Sequence, residues 1–230
     1  MCSCDLGPLK GIESLGKPKP KIALVDYGAG NLRSVAKALE RSDLVPVITG
    51  DPKIVRDLDG VLLPGVGAFK DAVAALTDAG LVDAIRDVTE NENRPYLGIC
   101  FGLQLLFDEG EEHGRTPGLG ILKGKVSRFP DYDEAGKPLL VPQIGWNEVQ
   151  FSGDHPMIEA LPERDHYYFV HSYRPVPEDE GLIVGRANYG GEFAAAVARG
   201  NIFAVQFHPE KSQAAGKRLL DAYRAWLAGS

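Results

Sequence analysis

Apolar residues fall into two rhythms along this chain. Between residues 21 and 107, short unbroken apolar runs alternate with stretches whose apolar positions recur three and four apart. KIALVD at 21–26 is such a run and reads as a strand buried on both faces of a parallel sheet. The turn YGAGN follows, and then Leu32, Val35, Ala36 and Leu39 recur at helical spacing behind Asn31, a residue suited to cap that helix. The unit repeats in VPVIT (45–49), in GVLLPGVG (60–67) leading into FKDAVAAL, in the helical pattern LVDAIRDVTE, and in RPYLGICFGLQLLF (94–107). Strand and helix in alternation predict a parallel α/β sheet. After about residue 120 the rhythm changes. KVSRF, LLVPQIGWNEVQF, HYYFVHSY, LIVGRANY, EFAAAVA and IFAVQFH are strand-like with little helix between them, so the second half is expected to be β-rich. EFAAAVA and IFAVQFH, joined by Arg199, Gly200 and Asn201, predict an antiparallel hairpin. A final helix presents Leu219, Leu220, Tyr223, Trp226 and Leu227 on one face.

Residues 1–20 hold Gly7, Pro8, Gly11, Gly16, Pro18 and Pro20 without apolar periodicity. They read as a flexible leader, with one domain over 21–230. Composition narrows the function. With 230 residues and a net charge of -7, the chain lacks the basic footprint of a nucleic-acid or anionic-membrane binder. No apolar run reaches the roughly 20 residues of a membrane span, and no signal peptide opens the chain, so the expected compartment is the cytoplasm. Three cysteines, Cys2, Cys4 and Cys100, make no even disulfide framework. Cys2 and Cys4 alone fall short of a zinc set, so neither metal nor cofactor is expected.

Cys100 stands between Gly98 and Gly102, where an apolar run meets helical spacing. A nucleophile elbow, the sharp strand-to-helix turn that lifts one side chain off a sheet, is crowded and needs small residues two before and two after the nucleophile. It also sets the thiol at a helix start, where the partial positive charge favours thiolate and the Phe101 N–H is open to an oxyanion. A free cysteine is otherwise a small core hydrophobe, but a core thiol has no use for the two glycines. FAVQFHPEKS supplies a base and its support, since in an extended segment His208 and Glu210 share a face while Pro209 points away.

Elsewhere the signals are weaker. His113, His155 and His166 lie in polar stretches and read as solvated, whereas His171 ends a strand and either lines a pocket or is structural. Gly65, Val66 and Gly67 in LLPGVGAF would let backbone amides approach a ligand, as a second oxyanion donor or a substrate clamp. The alternative is an ordinary strand-to-helix turn. YGAGN has Arg33 where a dinucleotide loop needs its third glycine.

LGICFGLQLLF, FAVQFHPEKS and the α/β beginning together resemble the class I (triad) glutamine amidotransferases. DYGAGNLRSV, LPGVGAF, VPQIGWN, YFVHSY and QFHPEKS resemble one branch of that class, the glutaminase subunits of imidazole glycerol phosphate synthase, over residues 21–228. The resemblance implies the class I fold, a mostly parallel sheet flanked by helices, and hydrolysis of L-glutamine to glutamate and ammonia. It also implies a heterodimer in which the ammonia passes to a (βα)8-barrel cyclase subunit in histidine biosynthesis. Carried onto matching positions, Cys100 is the nucleophile, His208 the general base and acid, and Glu210 the orienting carboxylate. Gly65, Val66, Gly67 and Phe101 match oxyanion and substrate backbone positions, and Gln104, His171, Ser172 and Tyr173 match those that hold glutamine. Asn31, Trp146 and Lys211 match positions facing the partner. Gln143 departs from the pattern, standing where many relatives carry histidine.

Three other readings compete. A glutaminase serving another synthase would lack the barrel partner. A non-catalytic regulatory subunit would have no need of Cys100, His208 and Glu210 together. A cysteine peptidase would take a different substrate from the one the resemblance implies.

Overall fold

The computed structural model describes residues 18–91 and 94–229, which leaves most of the leader, with Cys2 and Cys4, outside the described residues. Thirteen strands among them form two sheets. The larger sheet begins with β1 (Lys21–Val25), β2 (Val45–Thr49), β3 (Gly60–Leu63) and β4 (Tyr96–Ile99). A smaller one contains β5 (Phe107–Gly110), β6 (Thr116–Pro117), β7 (Leu122–Arg128) and later β10 (Tyr173–Pro177). β8 (Gln143–Phe151), β9 (Arg164–His171), β11 (Ile183–Asn188), β12 (Glu192–Arg199) and β13 (Ile202–Val205) complete the larger sheet. Its order is β2-β1-β3-β4-β13-β12-β11-β8-β9, with parallel pairing from β2 to β13 and antiparallel pairing beyond.

The unbroken apolar runs are explained by burial on two faces. Ile22 and Leu24 of β1 enter one core with Leu62, Leu97, Phe203 and the C-terminal helix, while Ala23 and Val25 enter the other with Val61, Leu63, Tyr96 and Ala204. Helices α1 (Leu32–Arg41), α2 (Pro52–Asp57), α3 (Phe69–Asp78) and α4 (Leu81–Arg86) connect the first strands. Asn31 caps α1 by accepting from the Ser34 amide at 3.3 Å. The later helices are α5 (Phe101–Gln104), α6 (Pro156–Glu159) and α7 (Gln213–Gly229).

Several elements depart from the sequence expectation. α2 was not foreseen: Asp51 caps it and Pro52 opens it, but six residues are too few to show a period. The helical spacing after Cys100 yields a single turn, α5, because the Leu105 and Leu106 carbonyls are taken by the amides of Leu119, Ile121 and Leu122 and the helix cannot propagate. HYYFVHSY is not one strand. It passes from β9 in the large sheet to β10 in the small one at Ser172. The β12–β13 hairpin forms as expected, with Gly200 and Asn201 outside both strands. It is β13, returning parallel beside β4, that carries the His208 segment to the elbow.

Candidate active site

Cys100 sits immediately after β4, at the carboxyl edge of the sheet centre, where ligands of open α/β sheets gather. Its backbone is in the left-handed region, φ 53° and ψ -100°, a strained state for a residue with a side chain. The surroundings enforce it. A Cβ on Gly98 would lie 2.5 Å from the Gly102 carbonyl oxygen, and one on Gly102 would overlap the Leu63 carbonyl. The Cys100 amide donates to Val205 O at 2.8 Å, and its own carbonyl accepts from the amides of Leu103 and Gln104. The thiol is 3% exposed. Phe101 is the first residue of α5, so its N–H has no partner within the helix. With only four residues, α5 offers little macrodipole, which weakens the expectation that helix position alone activates the sulfur.

His208 and Glu210 meet, though not by the alternation of an extended strand. β13 ends at Val205, and Pro209–Lys211 form a 3-10 turn that swings Glu210 back under the imidazole. His208 Nδ1 lies 2.8 Å from Glu210 Oε1, and both side chains are almost fully enclosed. A carboxylate only accepts, so Nδ1 carries the proton and Nε2 is the nitrogen left for chemistry. Nε2 has no well-aligned partner among the described residues. Burial opposes charge on this ring, yet the neighbouring Cys100 sulfur and Glu210 outweigh it and push His208 up to about 10. The turn is anchored: the His208 amide donates to Tyr168 O, Ser212 Oγ donates to His208 O, and a Cβ on Gly216 of α7 would overlap the Pro209 carbonyl.

A cavity of about 300 Å³ opens onto Cys100 and His208. Val66, Gly67, Phe101, Gln104, His171, Ser172 and Tyr173 line it, so most of the substrate positions named from the sequence converge here. Gly65 stands behind the wall, where a Cβ would strike the Tyr27 hydroxyl and the Phe101 side chain. His171 lines the pocket and is buried, which pushes it down to about 4. Its Nδ1 donates to Tyr173 O at 2.8 Å and its Nε2 lies 2.9 Å from the Gln143 carboxamide, so Gln143, the departure from the pattern, closes the far side of this ring.

Glu112 also lines the cavity and was not foreseen. It accepts from the Phe69 amide at 2.6 Å, supplying α3 with the cap that Ala68 lacks. One acid among several in the stretch DEGEEHG gives no sequence signal of that contact. His155 was expected to be solvated, but it is 4% exposed, bonded to Met157 N and Gly200 O and packed on Phe203 and Trp226. His113 and His166 are exposed. Of the residues matched to a partner face, Asn31, Trp146 and Lys211 are all exposed, and both Trp146 and Lys211 pack on the Tyr168 ring.

A wider groove at the opposite edge of the sheet, lined by Lys19, Asp43, Asp59 and Arg224, holds no thiol, hydroxyl or imidazole, and Lys19 and Arg224 both pair with Asp43. Among the described residues no cluster suited to a metal ion occurs, and no helix is long and apolar enough to cross a membrane.

Comparison with known proteins is consistent with this arrangement. The model of the family described as glutamine amidotransferase class-I matches residues 23–222. The "Imidazole glycerol phosphate synthase subunit HisH" of Geobacillus kaustophilus is 47% identical over 202 residues, covering 88% of this chain and 95% of that protein. Its namesake in Moorella thermoacetica is 49% identical, covering 86% of this chain and 91% of its own length. Among solved structures, PurLQS from Thermotoga maritima superposes with a TM-score of 0.71 at 24% identity, covering 91% of this chain and 99% of that one, a likeness of fold.

Proposed function

Since the chain belongs to the class I glutamine amidotransferases, and among them to the HisH subunits of imidazole glycerol phosphate synthase, we propose that Cys100, His208 and Glu210 are the triad that cleaves the side-chain amide of L-glutamine. The protein is a glutamine amidotransferase of histidine biosynthesis. The observation that carries the assignment of roles is the strained elbow that holds Cys100 at the floor of the cavity opposite the Glu210-bonded His208.

The geometry supports a covalent route. The Cys100 sulfur attacks the amide carbon, and the carbonyl oxygen develops charge as the tetrahedral intermediate forms. On this reading the Phe101 N–H and amides of the Gly65–Gly67 turn receive that charge; the lining of the cavity by Phe101, Val66 and Gly67 supports it. His208, protonated and held by Glu210, gives its Nε2 proton to the departing nitrogen, which leaves as ammonia while a glutamyl thioester remains. A water then enters, His208 takes its proton, and a second tetrahedral intermediate collapses to glutamate and the free thiol. The balance is one glutamine and one water giving one glutamate and one ammonia. Glu112, the single carboxylate lining the cavity among the described residues, suits the α-ammonium of glutamine.

Ammonia is then passed on. The partner is a (βα)8-barrel cyclase subunit that docks over Asn31, Trp146 and Lys211. A reading that feeds ammonia to a different synthase would be favoured by failure to pull down such a barrel. The central test is Cys100→Ala in the complex. Glutamine-dependent synthesis should fall by a factor on the order of 10⁴ to 10⁶, while synthesis from ammonium salt at high pH continues. Retention of more than about a tenth of the glutamine-dependent rate would return Cys100 to the role of a core thiol.

A further inference from the structure

The triad leaves one contact to the sulfur unexplained. Gln206 is 0% exposed, and its side-chain Nε2 lies 3.5 Å from Cys100 Sγ, a normal length for an amide donor to sulfur. An amide can usually be turned end for end without much change in fit, so which end faces the sulfur needs its own argument. Here the neighbours decide it. Tyr173 O is a backbone carbonyl and can only accept; it receives His171 Nδ1 at 2.8 Å and the Gln104 carboxamide at 3.0 Å. Gln104 must therefore present its nitrogen there. The second N–H of that nitrogen goes to Gln206 at 3.0 Å, so the Gln206 atom receiving it is oxygen. The other end of Gln206, facing Cys100, is then nitrogen. A backbone carbonyl thus orients two buried carboxamides in series, and the last one donates to the nucleophile.

We propose that Gln206 is a further catalytic residue, whose neutral amide N–H donates to Cys100 Sγ and holds the sulfur as a thiolate aimed into the cavity. The proposal rests on Cys100 being the nucleophile. A buried thiolate has lost its water and needs donors in return. The neighbouring His208 can turn its Nε2 proton to the sulfur only until that proton leaves in the reaction, whereas the Gln206 proton stays through both half-reactions. An N–H donor stabilises a thiolate far more than a thiol, which is a weak acceptor, so the contact favours the reactive form. The same chain gives Gln104 a role beyond its match to a glutamine-holding position: both its N–H groups are committed inside the protein, leaving Oε1 as the atom available to a ligand.

The experiment follows alkylation of Cys100 by iodoacetamide against pH, read at the Cys100 peptide by mass spectrometry because the chain has three cysteines. Wild type, Gln206→Met and Gln206→Glu are compared. Met removes the donor at similar length, and Glu keeps the acceptor for Gln104 and, when ionised at the alkaline end of the titration, has no donor for the sulfur. Both variants should move the alkylation midpoint up by about one pH unit and lower kcat on the order of 10- to 100-fold, with KM for glutamine changed less than threefold. In the unmutated chain, the Gln206 side-chain amide protons followed by NMR should titrate with the same midpoint as Cys100, a readout independent of how the variants fold. Unshifted alkylation in either folded variant, or an amide signal that ignores the titration, would overturn the proposal. A rise in KM alone would do the same. If alkylating Cys100 in wild type leaves glutamine hydrolysis intact, it is the triad that fails, and the two failures are thereby told apart.

Discussion

Two glycine turns stand side by side at the ends of the neighbouring strands β3 and β4 and are built differently. At the elbow after β4, Gly98 and Gly102 have no room for a methyl group, the Cys100 amide is bonded to β13, and the Cys100 side chain is almost sealed from water. At the turn after β3, Val66 is 47% exposed and Gly67, with φ +121°, has open space around it. The amides of Gly65, Val66 and Gly67 make no hydrogen bond within the described residues, and the turn is secured at its far end by the Glu112 cap on Phe69. The elbow needs its positive-φ strain opposed by packing on every side, so it is rigid in the free subunit. In the turn after β3, Gly65 is wedged between Tyr27 and Phe101, but Val66 and Gly67 have amides without partners and few contacts to fix them. On the proposed roles, Cys100 is thus pre-set, and adjustment of amides to substrate or partner falls to the neighbouring turn.

The largest effect is expected at the rigid side. Glu210→Gln keeps the shape of the turn but removes the charge that holds His208, and glutamine hydrolysis should drop by about 10² to 10⁴ in kcat/KM with little change in fold by circular dichroism. The pH dependence follows from the sign of the shift. His208 is raised from 6.5 to about 10, against the opposing effect of burial, so its contribution to stability is full below about pH 6.5 and is lost as pH climbs toward 10. Urea unfolding of wild type should therefore weaken over that window, and Glu210→Gln should flatten the slope.

A smaller effect sharpens the contrast between the turns. Gly102→Ala must push the Leu63 carbonyl aside and should cost about 3 kcal/mol of unfolding free energy, whereas Gly67→Ala meets only backbone strain and should cost about 1 kcal/mol. Equal losses in the two variants would mean that the turn after β3 is as tightly held as the elbow. On the pocket wall, burial pushes His171 down to about 4, so the folded state resists its protonation. Stability should then fall as pH drops from about 6.5 to 4, by up to about 3 kcal/mol, and His171→Gln should remove that loss. The smallest change in the isolated subunit is expected from Trp146→Ala. Stability should shift by about 1 kcal/mol or less and basal hydrolysis should hold, while stimulation by the cyclase partner falls. Full glutaminase activity in the free wild-type subunit would remove the need for partner-driven adjustment of the open turn.

Legibility in the sequence followed the range of the interactions. GICFG announced its elbow because the need for small flanking residues is local, and the model shows the obstructing carbonyls at both glycines. HPE announced a histidine with a carboxylate nearby, yet the geometry expected was an extended strand and the one found is a 3-10 turn. The two arrangements put the same residues in contact, so the pairing was readable and its cause was not. His155 shows the limit. Its sequence neighbours are Asp154 and Pro156, but Phe203 and Trp226, far away in the chain, make its surroundings apolar.

The alternation of strand and helix and the glycine-flanked elbow were legible along the chain, because they depend on steric limits and periodicities spanning a few residues. Only the tertiary structure decided that β13 lies beside β4, that Glu112 caps α3 across the pocket, and that Tyr173, Gln104 and Gln206 form one hydrogen-bonded line to the sulfur. Side-chain hydrogen bonds to groups 69 to 106 residues away leave no periodic trace along the chain; they exist only once the sheet order has set which strand ends share an edge.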